Sequence, residues 1–434
     1  MTSFPTPAKT TRGRRKSLGG TKAKPSISID GGAATALTSL EIFAGAGGLA
    51  VGIHQAGFDH LGLVEWDGYA ASTLRLNSER VLGIDPSRVF HMDAREVDYT
   101  RFSGKVDLLS GGPPCQPFST GGANGGYHDP RNMFPVFLDA VRTIRPRAIL
   151  IENVKGLTRS KFAEYMEYIQ LRLRFPFCKF GVDSTWQEQL EVLRRVNPTD
   201  FADDERYNLA MQLVDTADYG VPQRRERVIF VALRADLGLE PVLPEPTHSK
   251  LTLMHDQWVS GAYWQRHGMK ELDFISDRDR AIRKALQESL LPLEDRLPWR
   301  TVRDAISDLP PSVERGKEPH MINHVQHPGA RIYPPCHIGS FPDLPAKALK
   351  AGTHGTPGGE NILNAAHEDG TIRYFTTREA GRLQTFPDEW EFLGTWGACI
   401  KQLGNAVPTQ LGYIFASSIR DQLRSIEPQF QAAR

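Results

Sequence analysis

The stretch "SLEIFAGAGGLAVGIHQAG", residues 39–57, decides the fold class of this chain. Its first part, "SLEIFAG", is a short apolar run that ends in glycine, which is typical of a buried strand. The following "GLAVGIHQAG" has the pattern of a helix that stops at Gly57. A strand that passes through a glycine-rich turn into a helix predicts an α/β fold built around a parallel sheet.

The same alternation continues along the chain. Further strands are indicated by "HLGLVEWD", "VDLLSGG", "RAILIENV" and "RVIFVAL", and further helices by "AASTLRLN" and "NMFPVFLDAVRTIRP". A late amphipathic segment, "PTQLGYIFASSIRDQL", predicts a helix that packs back on this domain. We therefore expect a Rossmann-like domain with a mostly parallel sheet, helices on both faces, and ligands at the carboxyl ends of the strands.

The composition favours a soluble globular protein. Hydrophobic residues make up 40% and charged residues 24% of 434 positions, which is enough for two domains. With 52 basic and 51 acidic residues, the net charge does not indicate a partner. No apolar run is long enough to span a bilayer, and the start of the chain lacks a secretory signal pattern. The four cysteines include no C-x-x-C, so we expect reduced thiols and a cytoplasmic protein.

Changes in composition suggest three parts. Residues 1–36 are basic, with no acidic residue before Asp30, and predict a disordered arm. Residues 37–235 and 390–434 carry the α/β pattern and form the expected main domain. Residues 236–389 are rich in proline and glycine and hold nine of the 13 histidines, so we expect a smaller, loop-rich second domain there.

Metal binding is not expected in that second domain. The residues that could supply ligands lack a standard zinc spacing; they are His320, His324, His327 and Cys336.

The glycine loop "FAGAGGLA", residues 43–50, leaves the cofactor open. Gly45, Gly47 and Ala50 fit a dinucleotide fingerprint, and Glu65 lies near the spacing of a ribose-binding acid. A nicotinamide or flavin cofactor would use these parts. An adenosyl cofactor without a pyrophosphate would need the same glycines and the same carboxylate, so the loop alone does not choose between them.

The stretch "GGPPCQPFS", residues 111–119, places one cysteine in a special loop. Prolines fix φ and remove backbone donors, and glycines allow φ values that other residues avoid. Such a loop holds the thiol of Cys115 in one place. Since thiolates are strong nucleophiles, Cys115 becomes a candidate catalytic residue.

Six motifs together resemble one family. "FAGAGG" and "PPCQPFS" are similar to segments of the cytosine C5 methyltransferases that use S-adenosylmethionine, in particular the DNA-modifying type of type II restriction–modification systems. "ENV" (152–154), "QRRER" (223–227), "TTREAGRLQTFPD" (376–388) and "QLGNAVP" (402–408) resemble its later motifs, in the same order. Glu41 departs from the aspartate that the family often has, and keeps the charge.

The resemblance implies a DNA (cytosine-5-)methyltransferase. The enzyme would flip a cytosine out of duplex DNA, add the Cys115 thiolate at C6 and transfer the methyl group to C5, leaving S-adenosyl-L-homocysteine. Glu152 would hold a proton near N3 of the base. Arg225 would point at O2 or order the cysteine loop, and Arg227 would brace Glu152 or the same loop.

The resemblance also implies binding residues. In the donor site, Glu65 would bind the ribose hydroxyls, Trp66 would stack on adenine and Asp93 would accept from its amine. The full donor set comprises Phe43, Ala44, Gly45, Gly47, Gly48, Glu65, Trp66, Asp93, Pro114 and Asn405. The second domain becomes a target-recognition domain that reads bases in the major groove. The expected DNA contacts are Gln116, Ser119, Gln223, Lys350, Thr353 and His354.

Three rival functions stay open from the sequence. The same chemistry could act on tRNA, although the long second domain argues against that. A nicotinamide-dependent oxidoreductase would explain the glycine loop alone. A DNA-binding module with an inactive site would not explain the intact Cys115, Glu152 and Arg225. The expected partners are double-stranded DNA and a restriction endonuclease acting on the same site, with the enzyme monomeric on DNA.

Overall fold

The computed structural model describes most of the chain after the basic arm. The described residues are 36–114, 132–271, 277–288, 290, 295–335, 337–351 and 359–426. All of them belong to one compact unit. Five predicted site residues lie outside the described residues: Cys115, Gln116, Ser119, Thr353 and His354.

A seven-stranded sheet forms the centre of the fold. The strands of the described residues, in chain order, are β1 (Leu37–Ile42), β2 (Phe58–Glu65), β3 (Val89–His91), β4 (Leu108–Gly111), β5 (Ala148–Val154), β6 (Tyr207–Asp215), β7 (Gln223–Arg224), β8 (Glu226–Arg234), β9 (His248–Ser249), β10 (Leu297–Pro298), β11 (Ala346–Lys347), β12 (Ile362–Ala365) and β13 (Thr371–Tyr374). The central sheet has the order β3-β2-β1-β4-β5-β8-β6. Strands β1 to β5 are parallel, and β8 runs antiparallel to both of its neighbours.

The helices confirm the α/β class. In the described residues they are α1 (Gly48–Gln55), α2 (Gly68–Leu82), α3 (Phe134–Ile144), α4 (Ala163–Arg174), α5 (Trp186–Leu193), α6 (Lys250–Trp258), α7 (Ala262–Arg266), α8 (Asp277–Gln287), α9 (Val302–Ile306), α10 (Thr377–Leu383), α11 (Trp396–Asn405) and α12 (Thr409–Ser425). Pro135 lies in the first turn of α3, where its missing N–H costs nothing. None of the described helices is long and apolar enough to cross a membrane.

The strand order places a ligand crevice at β1 and β4. The chain moves outward in one direction through β2 and β3, and in the other through β4 and β5, so the order reverses between β1 and β4. Ligands of such sheets bind outside the carboxyl ends of the strands at this reversal. The glycine loop follows β1 and the segment leading to Cys115 follows β4, so both predicted site loops start at this point.

Two clusters of buried apolar residues join the described helices to the sheet. In one cluster, Leu411, Phe415 and Ile419 of α12 are buried with Ile53 of α1, as the sequence pattern predicted. A Cβ added at Gly52 of α1 would meet the main chain of α12, so the two helices pack at close range.

The second cluster joins the main domain to the end of the predicted second domain. Leu74 of α2 is buried together with Leu383 of α10, Phe386 and Trp390. Residues just before the predicted boundary at 389 therefore share a core with the glycine-loop side of the sheet.

Candidate active site

Glu65, at the carboxyl end of β2, organises the glycine loop. Its carboxylate accepts hydrogen bonds from the backbone N–H groups of Gly45 (2.7 Å), Trp66 (2.9 Å) and Asp67 (2.7 Å). Oε1 accepts two of these bonds and Oε2 accepts one, so Oε2 keeps acceptor capacity for a further donor. Burial raises the pKa of Glu65, while the three backbone hydrogen bonds oppose that shift.

The three glycines of the loop are required for different physical reasons. Gly45 has φ of 57°, and a Cβ there would meet no described atom within 4 Å, so this position borders open space. At Gly47 a Cβ would lie 2.8 Å from the ring of Trp390, and at Gly48 it would lie 2.1 Å from the carbonyl oxygen of Val407. Gly47 and Gly48 are therefore needed for packing, and Gly45 is the one that leaves room for a ligand.

The other predicted donor-site residues differ in their exposure and in their partners. Trp66 is 74% exposed, so its indole is available for stacking and is not core packing. Phe43 is half-buried with φ of 62°. Ala44 is buried, with its N–H donating to the carbonyl of β2. Asp93 pairs with Arg95 at 2.5 Å, and the Arg95 hydrogen bond is the largest of the contributions that lower the pKa of Asp93.

Glu41 and Ser110 form a buried polar pair beneath the loop. They are directly paired across β1 and β4, and both are almost fully buried. Glu41 Oε2 and Ser110 Oγ have no hydrogen-bond partner among the described residues. Burial, together with the charge of Glu65, raises the pKa of Glu41 well above its ordinary value. Burial therefore favours the protonated form of Glu41.

Glu41→Gln is expected to raise the free energy of unfolding relative to the wild type, by an amount that grows as the pH rises. The unfolded chain ionises Glu41 near its ordinary pKa of about 4.3, whereas the folded chain keeps the proton. The free energy of unfolding of the wild type therefore falls by up to about 1.4 kcal/mol per pH unit above that point, until the folded pKa is passed. Denaturant unfolding from pH 4.5 to 8 measures the difference. Glu164→Gln, at an exposed position, is the control; a pH-independent difference for Glu41→Gln would contradict the buried proton.

Glu152 lies against the main chain that leads to Cys115. The side chain of Glu152 is only 12% exposed, and its Oε2 lies 3.3 Å from the place where a Cβ on Gly112 would be. The neighbouring Asn153 donates from Nδ2 to the carbonyl of Pro113 (3.2 Å). The end of β5 thus fixes the two residues that precede Pro114. The sequence interpretation missed Asn153, although an amide beside the acid in "ENV" was a usable signal.

Arg227, rather than Arg225, is the arginine at Glu152. Because β8 is antiparallel to β5, Arg227 is paired with Val154 at the site end of the sheet. Its Nε lies 2.5 Å from Glu152 Oε1, a close ion pair without the alignment of a hydrogen bond. The predicted bracing of Glu152 by Arg227 therefore corresponds to an observed contact.

Arg225 is occupied elsewhere, which corrects its predicted orientation toward the base. Its guanidinium is buried and donates to the carbonyl oxygens of Leu349 (3.1 Å) and Gly404 (2.7 Å). Burial lowers its pKa well below the ordinary value, and the charge of Arg227 adds to this. Arg225 therefore holds two distant stretches of main chain together.

Gln223 is also an internal link, so its predicted DNA contact is wrong. Its side chain is 0% exposed. The amide oxygen accepts from the N–H of Leu349 (3.3 Å), and the amide nitrogen donates to the carbonyl of Leu383 (3.4 Å). Gln223 and Arg225 together bind both backbone groups of Leu349.

Two of the remaining predicted residues, Lys350 and Asn405, directly follow the linked residues in the chain. Lys350 follows Leu349, is 54% exposed at its side chain and forms an ion pair with Glu360 at 2.7 Å. Asn405 follows Gly404 at the end of α11 and is exposed. Pro114 is exposed and accepts a hydrogen bond from the N–H of Met133 (3.2 Å). That bond joins the described main chain before residue 115 to the described main chain after residue 131.

Two of the histidines considered as zinc ligands, His324 and His327, have other partners. His324 is buried, with one ring nitrogen 2.9 Å from Thr376 Oγ1 and the other 2.8 Å from the carbonyl of Pro310. His327 stacks on Trp396 with ring centroids 4.2 Å apart. Cys336 lies outside the described residues.

One other group of described residues could approach a metal ion. Asp343, His367 and Glu368 bring possible ligand atoms within 4.8 Å of one another. Arg303 forms ion pairs with both carboxylates, however, and its positive charge disfavours a cation there.

Comparison with known proteins points in one direction. The model of the family described as C-5 cytosine-specific DNA methylase matches residues 37–175 and 198–421. The chain is 32% identical to Type II methyltransferase M.PspPI of Psychrobacter sp. (strain TA137) and 30% identical to Type II methyltransferase M.Eco47II of Escherichia coli. Each alignment covers 88% of this chain and 78% of the relative.

A solved structure shares the fold. A DNA modification methyltransferase encoded within an Escherichia coli prophage is 19% identical, with a TM-score of 0.52. The match covers 89% of this chain and 99% of the other.

Proposed function

The chain belongs to the C-5 cytosine-specific DNA methylase family, and we propose that Cys115, Glu152 and Arg227 carry its reaction. The reaction is transfer of a methyl group from S-adenosylmethionine to C5 of cytosine in DNA. The observation that carries the proposal is the contact of Glu152 with both Arg227 and the main chain leading to Cys115. This contact brings an acid, a fixed cation and the nucleophile's anchor to one end of the sheet.

The chemistry needs these three groups for different reasons. C5 of cytosine is a poor nucleophile until the thiolate of Cys115 forms a bond to C6, which makes the ring enamine-like. Negative charge then develops at N3 and O2, and Glu152 supplies a proton toward N3. C5 takes the methyl group, and S-adenosyl-L-homocysteine leaves as the neutral thioether. Loss of the C5 proton to a water, cleavage of the sulfur–C6 bond and return of the N3 proton to Glu152 complete the cycle.

Arg227 and Arg225 receive separate roles. Arg227 holds Glu152 in place and presents positive charge where the base becomes negative. Arg225 is a positioning residue, because its guanidinium links the main chain of Leu349 to that of Gly404. Leu349 precedes the predicted base-reading segment, and Gly404 precedes Asn405.

The donor site lies at the carboxyl ends of β1 and β2. S-adenosylmethionine supplies the methyl group when bound there. Gly45 leaves space for it, the free acceptor capacity of Glu65 suits a ribose hydroxyl, and the exposed Trp66 suits an adenine face. Phe43, Asp93, Pro114 and Asn405 border the same opening in this proposal, while Ala44, Gly47 and Gly48 support it through packing.

The target cytosine is flipped out of the duplex to reach this site, because stacking covers the C6 face. Residues 236–389 form the target-recognition domain in this proposal, and Lys350, Thr353 and His354 belong to its reading segment. Gln116 and Ser119, beside the nucleophile, contact the DNA around the flipped base.

Exchange of residues 240–370 with those of a relative is expected to change the sequence that is methylated and to leave the chemistry unchanged. The reason is that the proposed chemical groups lie outside this range, while the proposed reading segment lies inside it. Bisulfite sequencing of host DNA after expression of each protein measures the methylated site. An unchanged site in an active chimera would contradict the assignment. The links of Gln223 and Arg225 to Leu349 should be preserved in the exchange.

The type II relatives support a biological partner for the enzyme in this proposal. The enzyme protects DNA from a restriction endonuclease that cuts the same site, and acts on DNA as a monomer in the cytoplasm. Parallel assays on duplex DNA and on tRNA test the substrate; methylation of tRNA alone would contradict this proposal.

A further inference from the structure

A stretch outside the matched family ranges packs beside the anchor of the Cys115 segment. Residues 176–197 fall between the two ranges that the family model matches, and we call them the unmatched segment. This segment contains α5, whose start is fixed by a capping box between Thr185 and Glu188. It is therefore an ordered addition with its own helix.

Helix α5 is docked firmly on α4. Leu190 and Leu193 of α5 are each only 2% exposed. Tyr168 of α4 donates its hydroxyl hydrogen to Gln189 Oε1 of α5 at 2.7 Å. Apolar burial and a directional hydrogen bond together fix the position of α5 relative to α4.

Trp186, the first residue of α5, holds the ring of Tyr165 from one side. The two rings meet edge-on, with centroids 5.3 Å apart and planes at 85°. Tyr168 closes the cluster, with its ring centroid 5.8 Å from Tyr165 and 6.0 Å from Trp186. The Tyr165 side chain is almost fully buried, so the unmatched segment determines where its hydroxyl lies.

The hydroxyl of Tyr165 fixes the residue at which the chain returns from segment 115–131. Asn132 donates from Nδ2 to Tyr165 Oη at 2.8 Å, and its own Oδ1 accepts from the N–H of Phe134. The next residue, Met133, donates its N–H to the carbonyl of Pro114. Pro114 immediately precedes Cys115, so a continuous set of contacts runs from Trp186 to the residue before the nucleophile.

We propose that Tyr165, supported by Trp186 of the unmatched segment, is a positioning residue for the attack of Cys115 on the base. The inference rests on the proposed role of Cys115. Of the proposed donor-site residues, these contacts lead to Pro114 and not to Glu65 or Gly45, so the inference concerns the attack step. Loss of the Tyr165 hydroxyl should therefore slow formation of the sulfur–C6 bond without weakening the binding of S-adenosylmethionine.

Tyr165→Phe tests the proposal, with Tyr207→Phe as the matched control. Both variants remove the hydroxyl of a buried tyrosine that donates or accepts one hydrogen bond of 2.8 Å, but Tyr207 bonds to the carbonyl of Pro146, away from Asn132 and α5. The probe is S-adenosylmethionine together with duplex DNA that has 5-fluorocytosine at the methylated position. Fluorine at C5 cannot be removed by a base after methyl transfer, so the covalent adduct accumulates. We expect Tyr165→Phe to slow adduct formation about 10-fold, the effect of one hydrogen bond. Tyr207→Phe should keep the wild-type rate, and both should keep the wild-type dissociation constant for S-adenosylmethionine.

Asn132→Ala and Trp186→Ala complete the experiment. Asn132→Ala should slow the adduct as much as Tyr165→Phe, and the double variant should be no slower than either single variant. Trp186→Ala should slow adduct formation when it is introduced into the wild type. It should cause no further slowing when it is introduced into the Asn132→Ala protein. Equal rates for Tyr165→Phe and the wild type, or fully additive effects, would overturn the proposal. If Tyr165→Phe does not fold, Asn132→Ala decides alone. Absence of any adduct with the wild type would instead contradict the role of Cys115.

Discussion

Cys115→Ala is expected to abolish DNA methylation, with a loss of about 10⁴-fold or more in the rate of transfer. Without the thiolate no bond forms at C6, and C5 stays too weak a nucleophile to take the methyl group. Bisulfite sequencing of host DNA should show one short motif protected by the wild type and no motif protected by the variant.

Cys178→Ala is the matched control for this experiment. Cys178 is a buried free cysteine, and burial raises its pKa, which disfavours a reactive thiolate. This variant should protect the same motif as the wild type. Protection by Cys115→Ala at the wild-type level would contradict covalent catalysis by this residue.

Glu152→Gln is expected to lower the rate of transfer about 10²- to 10⁴-fold, the range for a general acid. Glutamine keeps the shape of the side chain, so Gly112 and the main chain before Cys115 should stay in place. Its amide has no acidic proton to transfer to N3, and it leaves Arg227 without its carboxylate partner. Single-turnover transfer of the methyl group measures the rate, and the dissociation constants for S-adenosylmethionine and DNA should change by less than about threefold.

Glu226→Gln provides a matched control in the same strand. Glu226 is the neighbour of Arg227, but its carboxylate is 44% exposed and pairs with Lys155. Exposed ion pairs contribute little, so this variant should transfer the methyl group at the wild-type rate. Equal losses in the two variants would mean that the charge of the strand end, and not the position of Glu152, determines the rate.

The strand–glycine–helix pattern was enough to predict the fold class. "FAGAGG" after β1 and the "PPC" segment after β4 could also be placed, because parallel strands bring their carboxyl ends to one edge. The direction of β8 could not be predicted, since a buried strand has the same apolar pattern in either direction. That direction is what brings Arg227 to Glu152.

The orientation of Arg225 toward the base and the DNA contact of Gln223 could not be judged from the sequence for a different reason. Both residues belong to a polar run, "QRRER", which in sequence has the character of an exposed surface. Their partners are far away in the chain: Leu349 lies 124 residues from Arg225, and Gly404 lies 179 residues away. Local sequence patterns carry no information on such contacts. The sequence around an arginine whose buried guanidinium binds carbonyl groups therefore looks the same as the sequence around one that faces DNA.

The loop residues show how packing and binding are confounded in a motif. Gly45, Gly47 and Gly48 look equivalent in "FAGAGG", yet only Gly45 borders open space. The other two are glycine because Trp390 and Val407 approach them, and neither approach is visible in the sequence around residue 45.

The central claim is that Cys115 forms a covalent bond to the target cytosine at a site built by Glu152 and Arg227. Its most direct test is peptide mapping by mass spectrometry after reaction with S-adenosylmethionine and duplex DNA that contains 5-fluorocytosine at the methylated position. We predict one modified peptide, with the nucleotide on Cys115. Modification of another cysteine, or a wild-type enzyme that methylates ordinary DNA but forms no adduct, would contradict the account.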